Sequence, residues 1–112
     1  MEKTTQQNLS LQKAAEAFAA LGSEQRLMVL EALVRAGAEG LTMGALGARS
    51  GVEGSTLTHH LRFLTQAGLV TQRKQGRAVI CAAVAYDQVE GLSRYLLQNC
   101  CADAAPQEET HP

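Results

Sequence analysis

The sequence lacks the features of secreted and membrane-embedded proteins. Its longest apolar run, residues 78–86, is far too short to cross a bilayer as a helix. The first residues, MEKTTQQNLS, are polar and carry charges of both signs, so we expect neither a secretory signal nor a transit peptide. Cysteine is rare, with 3 residues in 112. Because this number is odd, free thiols are expected rather than a framework of disulfide bonds. The expected location is therefore cytoplasmic.

The sequence also lacks the signatures of catalysis. It contains no Cys-x-x-Cys motif, no nucleotide-binding loop and no constellation of acids and bases suited to proton transfer. We therefore do not expect an enzyme. A chain of 112 residues, 46% of them hydrophobic, suffices for one domain with its own core. We assign this domain to residues 9–101, between a disordered N-terminal arm (1–8) and a disordered polar tail (102–112).

Acidic residues are missing from one long stretch of the chain. The formal net charge is only −1, yet no Asp or Glu occurs between Glu53 and Asp87. The basic residues of that stretch include Arg62, Arg73, Lys74 and Arg77. Such a local excess of positive charge suits a nucleic-acid partner, although a solvated basic face without a function would look the same.

Helical spacing of apolar residues predicts four helices in the first two thirds of the chain. The second helix should begin after Ser23 as N-cap and end before Gly37, and the third should have Thr42 as its cap. Gly68 should close the fourth helix. The other three helices are expected at residues 9–20, 41–50 and 55–67. The side chains expected to form the buried stripe of the second helix are Leu27, Leu30, Leu33 and Val34.

After the fourth helix, the spacing of apolar residues changes from the 3.6-residue period of a helix to the two-residue period of a strand. Residues 69–74 and 78–84 are prone to form strands, and a turn at Gln75-Gly76 should join them into a hairpin. Asp87 should cap a last helix that continues to the cysteines near residue 100. The expected fold class is mainly α with a small β-hairpin, in which the third and fourth helices form a helix-turn-helix.

The fourth helix has two distinct faces. Spacings of i, i+3, i+4 and i+7 place Ser55, Thr58, His59 and Arg62 in one polar stripe, whereas the opposite face should be buried. The residues of that buried face are Leu57, His60, Leu61 and Leu64. Hydroxyls and a guanidinium suit the major groove of DNA. The neighbouring histidines diverge on a helix, so metal binding by His59 and His60 is not expected.

The segment GVEGSTLTHHLRFLTQAGLVTQRKQGRAV, with the order of elements around it, resembles the ArsR family of winged helix-turn-helix repressors. The resemblance covers residues 9–101. It implies a homodimer through the first and last helices that binds double-stranded operator DNA and is released by an inducer. The residues then expected to contact DNA are Ser55, Thr56, Thr58, His59 and Arg62, with Arg73, Lys74 and Arg77 in the wing.

The inducer is predicted from the cysteines, with help from the same resemblance. One ligand site of the family needs a cysteine pair on the third helix and another needs histidine on the last helix, and this sequence has neither. Some arsenical-responsive members carry Asn-Cys-Cys where this chain has Asn99, Cys100 and Cys101. Thiolates select soft ions, so the expected ligand is trivalent arsenic, as methylarsenite or arsenite, or antimonite. An intact helix would separate the two sulfurs, so binding should require the last turn to unwind.

Two alternatives stay open at this point. The same thiols could sense oxidants in a repressor of the same fold, or they could be incidental in a DNA-binding module without an inducer. The third thiol, Cys81, lies in a predicted strand and is expected to be a buried apolar residue. With only two thiols available, methylarsenite, which has two exchangeable positions, should be preferred over arsenite, which has three. No permanent cofactor and no membrane partner are expected.

Overall fold

The computed structural model describes residues 9–83 and 86–104 as five helices and a three-stranded sheet. The predicted fold class, mainly α with a small β-hairpin, is confirmed, and the hairpin gains a third, short strand. The elements in chain order are α1 (Leu11–Ala20), α2 (Glu24–Ala36), a 3₁₀ turn (Gly37–Glu39), β1 (Leu41–Thr42), α3 (Met43–Ser50), α4 (Gly54–Gln66), β2 (Val70–Gln75), β3 (Ala78–Ala83) and α5 (Tyr86–Leu97).

Side-chain caps fix the starts of the first three helices. The hydroxyls of Ser10, Ser23 and Thr42 each accept a hydrogen bond from the backbone N–H three residues later, at 3.1, 3.3 and 3.2 Å. The predicted caps at Ser23 and Thr42 are thus confirmed. The first helix starts at residue 11 and not at residue 9, because Ser10 is its cap. The fourth helix starts one residue before the predicted position, after Glu53.

The sheet is antiparallel, with β3 in the centre and β1 and β2 on either side. Leu41 pairs with Cys81, so residues 41–42 form a strand and not the first turn of the predicted third helix. The hairpin turn is also shifted by one residue. Gln75 pairs with Ala78, which leaves Gly76 and Arg77 as the two turn residues, and Gly76 has the positive φ (65°) that such a tight turn requires.

The core lies between α2, α4 and the sheet. Its fully buried side chains are Leu33, Leu46, Leu61, Leu64, Val29, Val70 and Cys81. The predicted stripe of α2 is wrong at two positions, because Leu27 and Val34 are exposed. Val29 and Ala32 are buried instead, beside Leu30 and Leu33. The buried face of α2 is therefore rotated towards α3, α4 and β3, which pack against it.

The last helix ends before the cysteines. α5 stops at Leu97, and residues 98–103 form turns, which corrects the expected extension of the helix to Cys100. Asp87 lies inside α5 and does not precede it as a cap. The predicted arm (1–8), strand residue Val84 and most of the predicted tail (105–112) lie outside the described residues. In the part of the chain that is described, no helix is both long and apolar enough to span a bilayer.

Candidate nucleic-acid interface and thiol site

The polar stripe of α4 lies on the surface, as its spacing predicted. Ser55, Thr56, Thr58, His59 and Arg62 are all exposed. Their opposite face is buried at the three leucines of the predicted core face, each at most 2% exposed: Leu57, Leu61 and Leu64. Together with the neighbouring Thr56, the stripe therefore presents two ring nitrogens, three hydroxyls and a guanidinium to solvent from one helix with a buried opposite face.

Two contacts within α4 orient members of this stripe. The Thr58 hydroxyl donates to the carbonyl oxygen of Gly54 at 3.4 Å, so the lone pairs of its oxygen face outward as acceptors. The ring of His59 meets the ring of Phe63 edge to face, with centroids 5.0 Å apart. This packing limits the rotation of the imidazole. Both residues therefore present defined hydrogen-bonding groups on the exposed face.

The hairpin supplies the positive charge beside this helix. Arg73 and Lys74 are exposed on β2, and Arg77 is exposed in the turn. Arg73 donates through Nη2 to the carbonyl oxygen of Glu39 at 3.5 Å, which links the wing to the 3₁₀ turn after α2. No acid lies between Glu53 and Asp87 in the sequence, so neither α4 nor the hairpin carries one. The surface is suited to a polyanion.

His60 belongs to a polar network that the sequence did not reveal. Its Nδ1 lies 3.4 Å from Nη1 of Arg26, and its Nε2 lies 2.9 Å from Oε1 of Gln25. Because arginine only donates, Nδ1 accepts and Nε2 carries the proton. Burial, then the guanidinium of Arg26 and the neighbouring His59, lower the pKa of His60. His60, which the spacing placed on the buried face of the fourth helix, is thus only partly buried and is hydrogen-bonded there.

The network was missed because its partners are far apart in sequence. Gln25 and Arg26 lie 35 and 34 positions before His60, and no local spacing relates them. The one sequence signal for this network was the presence of two polar residues, Gln25 and Arg26, in the first turn of α2. No group of three or more His, Cys, Asp or Glu that could hold a metal ion occurs among the described residues.

The vicinal thiols lie together on an exposed turn. The Sγ atoms of Cys100 and Cys101 are 3.3 Å apart, and both residues are exposed. Cys101 adopts a positive φ of 65°, which only a few non-glycine residues do. The turn is closed by hydrogen bonds from Cys100 N to Leu97 O and from Ala102 N to Asn99 O. The expected unwinding of a helical turn is therefore unnecessary, because the helix has already ended.

The two thiols at this site are not equivalent. The interaction with Cys100, as a hydrogen-bond partner and as a neighbouring charge, raises the pKa of Cys101. A thiolate on one sulfur thus disfavours a second thiolate beside it. The pair accordingly favours a state that keeps at least one proton between the two sulfurs until a ligand replaces it.

Cys81 is separate from this pair and fully buried. Its Sγ lies 3.6 Å from Sδ of Met43 and 3.6 Å from the Gln72 amide nitrogen. Burial raises the pKa of this thiol, which keeps it protonated in the core. The expectation that Cys81 is a buried strand residue is confirmed.

Comparison with known proteins gives consistent matches to this architecture. The family model described as "Helix-turn-helix domain" matches residues 21–73. An uncharacterized HTH-type transcriptional regulator, YceK of Bacillus subtilis (strain 168), is 35% identical over 63 residues, or 56% of this chain. The match spans 62% of that relative's length.

Three solved structures share the fold. Rv0081 of M. tuberculosis is 33% identical, with a TM-score of 0.60 and coverage of 80% of this chain and 89% of that one. An ArsR-like transcriptional regulator from Rhodococcus sp. RHA1 is 28% identical, with a TM-score of 0.67 and coverage of 81% of both chains. Mb0332 of Mycobacterium bovis, a homodimeric winged helix-turn-helix domain described as a possible ArsR-family regulator, is 19% identical, with a TM-score of 0.64 and 90% coverage of both.

Proposed function

We propose that this chain is a winged helix-turn-helix regulator of the ArsR family and a repressor that is released from operator DNA by a trivalent arsenical. The arsenical binds Cys100 and Cys101. The observation that carries this proposal is the exposed pair of sulfur atoms held 3.3 Å apart. The DNA-binding part rests on the α4 stripe and the basic hairpin.

The exposed stripe of α4 reads the bases in this proposal. Arg62 donates two hydrogen bonds to a guanine, while His59 and the hydroxyls contact bases or phosphates in the major groove. Arg73, Lys74 and Arg77 neutralise backbone phosphates from the wing. The absence of carboxylates on these elements supports this role, because a carboxylate there would repel the DNA backbone.

A homodimer brings two such helices to one operator. Large apolar side chains are exposed on the two helices that pack together at one end of the fold, α1 and α5. They are Leu11, Phe18, Leu96 and Leu97. A second copy would cover them, and Mb0332, whose fold is similar, is homodimeric. Two-fold symmetry then places the α4 helices in successive major grooves, about 34–36 Å apart.

The geometry of the thiol pair favours a soft, trivalent ligand. With bonds of about 2.3 Å, as for zinc and sulfur, sulfurs 3.3 Å apart subtend about 90° at a bridging atom. This angle suits a pyramidal trivalent atom with a lone pair and is narrower than the tetrahedral angle at zinc. Thiolates also prefer soft ions over hard ones. Arsenic in its trivalent state meets both conditions.

The binding reaction is an exchange of ligands on arsenic without a change of oxidation state. Methylarsenite, CH3As(OH)2, forms two As–S bonds with Cys100 and Cys101, and its two hydroxides leave as water with the two thiol protons. The methyl group keeps the third position. Arsenite would retain one hydroxide, because the third thiol of the chain, Cys81, is buried in the core. Methylarsenite is therefore the better ligand.

Oxidation of the same pair by a two-electron oxidant such as a peroxide is the second candidate function, because the two adjacent sulfurs could lose their protons and two electrons to form a disulfide. A disulfide between consecutive residues would link Cα atoms about 3.8 Å apart, whereas disulfides normally span 4.4–6.8 Å. The resulting ring is strained, which makes an internal disulfide easy to reduce. A bridging arsenic atom avoids that strain because it adds a third atom between the sulfurs. Arsenical binding is the function that the geometry favours.

The position of the thiols explains how arsenical binding releases the protein from operator DNA. They lie three and four residues beyond the end of α5, and α5 packs against α1. Binding adds an arsenic atom and its methyl group to the turn beside the exposed Leu96 and Leu97, which alters the contact between the two subunits. A coupling free energy of about 1–3 kcal/mol would lower operator affinity roughly five- to 150-fold.

The test is fluorescence anisotropy of the reduced protein on a labelled fragment of its own promoter, titrated with methylarsenite and with arsenite. We expect release by methylarsenite at the lower concentration, and none at that concentration for Cys100→Ser. Two matched controls should respond like the wild type: Asn99→Ser, which alters the same turn, and Cys81→Ala, which removes the buried thiol. Unchanged release in Cys100→Ser would refute the thiol site. Equal affinity for promoter and random DNA would refute the proposal that the protein is an operator-specific repressor.

A further inference from the structure

One arginine joins three helices of the domain. Arg26 is half-buried in the first turn of α2, where it contacts the end of α1 and His60 and Phe63 of α4. Its Nε donates to the carbonyl oxygen of Ala20 at 2.6 Å, and its Nη1 lies 3.4 Å from Nδ1 of His60. Its Cζ lies 4.6 Å above the ring centroid of Phe63. No other side chain in the described residues has recorded polar contacts with both α1 and α4.

The contact with α1 is chemically specific. Ala20 is the last residue of that helix, and its carbonyl has no partner further along the helix. The negative end of the helix dipole lies at the same place, so a guanidinium is a favourable cap. Arg26 therefore caps the last carbonyl of α1 from a different helix and ties the end of α1 to the start of α2.

The contacts with α4 lead directly to the exposed stripe. His60 and Phe63 both contact Arg26, and Phe63 packs edge to face against the ring of His59, one helical turn earlier and part of the exposed stripe. His60 is in turn held by Gln25 at 2.9 Å. A planar, multiply donating guanidinium can serve the carbonyl, the imidazole and the aromatic face together, which an ammonium cannot.

We propose that Arg26 is the positioning residue that sets the reading helix α4 against α1 and thereby determines discrimination between operator and other DNA. This inference rests on the proposed DNA-binding function. Arg26 itself does not touch DNA. It acts through Phe63 and His60, which fix His59 and the angle of α4.

A comparison of operator and random DNA separates this role from a phosphate contact. A phosphate-binding cation contributes equally to both duplexes, and its loss reduces the salt slope by about 1. A positioning residue affects only the contacts that need correct geometry. We therefore expect Arg26→Gln and Arg26→Lys to lose about tenfold in operator affinity, the size typical of coupled contacts, with random-duplex affinity and salt slope unchanged.

Arg35→Gln is the matched control, because it removes an exposed arginine from the last turn of the same helix. It should leave the ratio of operator to random-duplex affinity at the wild-type value. Urea unfolding of each variant verifies that the protein is folded at the assay temperature. Should Arg26→Gln fail to fold, Phe63→Leu removes the aromatic contact while keeping an apolar side chain, and it should also lower the ratio.

The outcomes divide clearly. An unchanged ratio in Arg26→Lys, or equal losses on both duplexes with a smaller salt slope, overturns the inference. An unchanged ratio in Phe63→Leu overturns it as well. The DNA-binding part of the proposed function, on which this inference rests, fails instead if the wild-type protein does not distinguish its promoter from random DNA, which the same titration measures first.

Discussion

The Sγ atoms of Cys100 and Cys101 lie 3.3 Å apart because the backbone reverses at Cys101, where φ is 65°. In a continuous helix neighbouring side chains would point about 100° apart. A positive φ at a residue with a Cβ costs about 1–2 kcal/mol. The chain thus stores a small strain at a place where both thiols face solvent, and this strain brings the sulfurs together before any ligand arrives.

Replacing Cys101 by glycine separates the backbone of this turn from its chemistry. Glycine adopts the positive φ freely, so Cys101→Gly should fold with unchanged or slightly higher stability. It cannot form the second As–S bond. In a thermal melt with methylarsenite at 100 times its dissociation constant, the wild type should gain at most about 2.7 kcal/mol, because the adjacent thiols also bind the ligand in the unfolded chain, whereas the variant should gain nothing.

The matched control in this melt is Asn99→Ser, which keeps both thiols and should gain as much as the wild type. A ligand-induced gain in Cys101→Gly equal to that of the wild type would show that the second sulfur is not used. The melts without ligand report the backbone effect alone, and a marked destabilisation there would contradict the strain at Cys101.

The local parts of this fold could be read from the sequence, and the distant pairings could not. The caps at Ser23 and Thr42 and the two faces of α4 depend on residues at most seven positions apart, so spacing alone located them. The strand at residues 41–42 exists because Leu41 pairs with Cys81, 40 positions away. No local pattern distinguishes such a strand from the first turn of a helix.

The candidate site shows the same division. The members of the exposed stripe and the thiol pair were found because they are neighbours in the sequence. The contact of Arg26 with His60 joins residues 34 positions apart and needs the packed helices to bring them together. The end of α5 was misplaced because helical spacing of apolar residues continues past Leu97, while the reversal at Cys101 has no glycine to signal it.

The stripe of α4 and the wing should differ in what they contribute to DNA binding. Arg62→Ala should lower affinity for the operator by about 1–3 kcal/mol and relax the preference at one base pair, because a bidentate contact to a base is lost. Lys74→Gln should lower the affinity for operator and for random duplex by the same factor. It should also reduce the slope of log affinity against log salt concentration by about 1. Titrations on operator and random duplex at several salt concentrations measure both quantities.

Arg49→Gln serves as the control for charge, since it removes an exposed arginine from α3, outside the stripe and the wing. It should reduce operator discrimination no more than Lys74→Gln does. If Arg62→Ala weakened operator and random DNA equally, Arg62 would be a phosphate contact, and the assignment of base recognition to it would be wrong.

Acidification should destabilise the domain through His60. Burial and the Arg26 guanidinium lower the pKa of His60 below its ordinary value of about 6.5 in the folded state. At a pH above 6.5 the imidazole of His60 is neutral in both the folded and the unfolded protein, so its protonation does not lower the free energy of unfolding. As pH falls below this value, the unfolded chain takes up the proton first, so the free energy of unfolding decreases until the folded pKa is passed.

Urea unfolding at pH 7.5 and 5.5 measures this loss of unfolding free energy, and His60→Gln, which cannot titrate, should show a smaller loss. His59→Gln is the matched control: it keeps His60 and its contact with Arg26, so it should retain most of the wild-type loss. Equal losses in the wild type and in His60→Gln would mean that other groups carry the pH dependence.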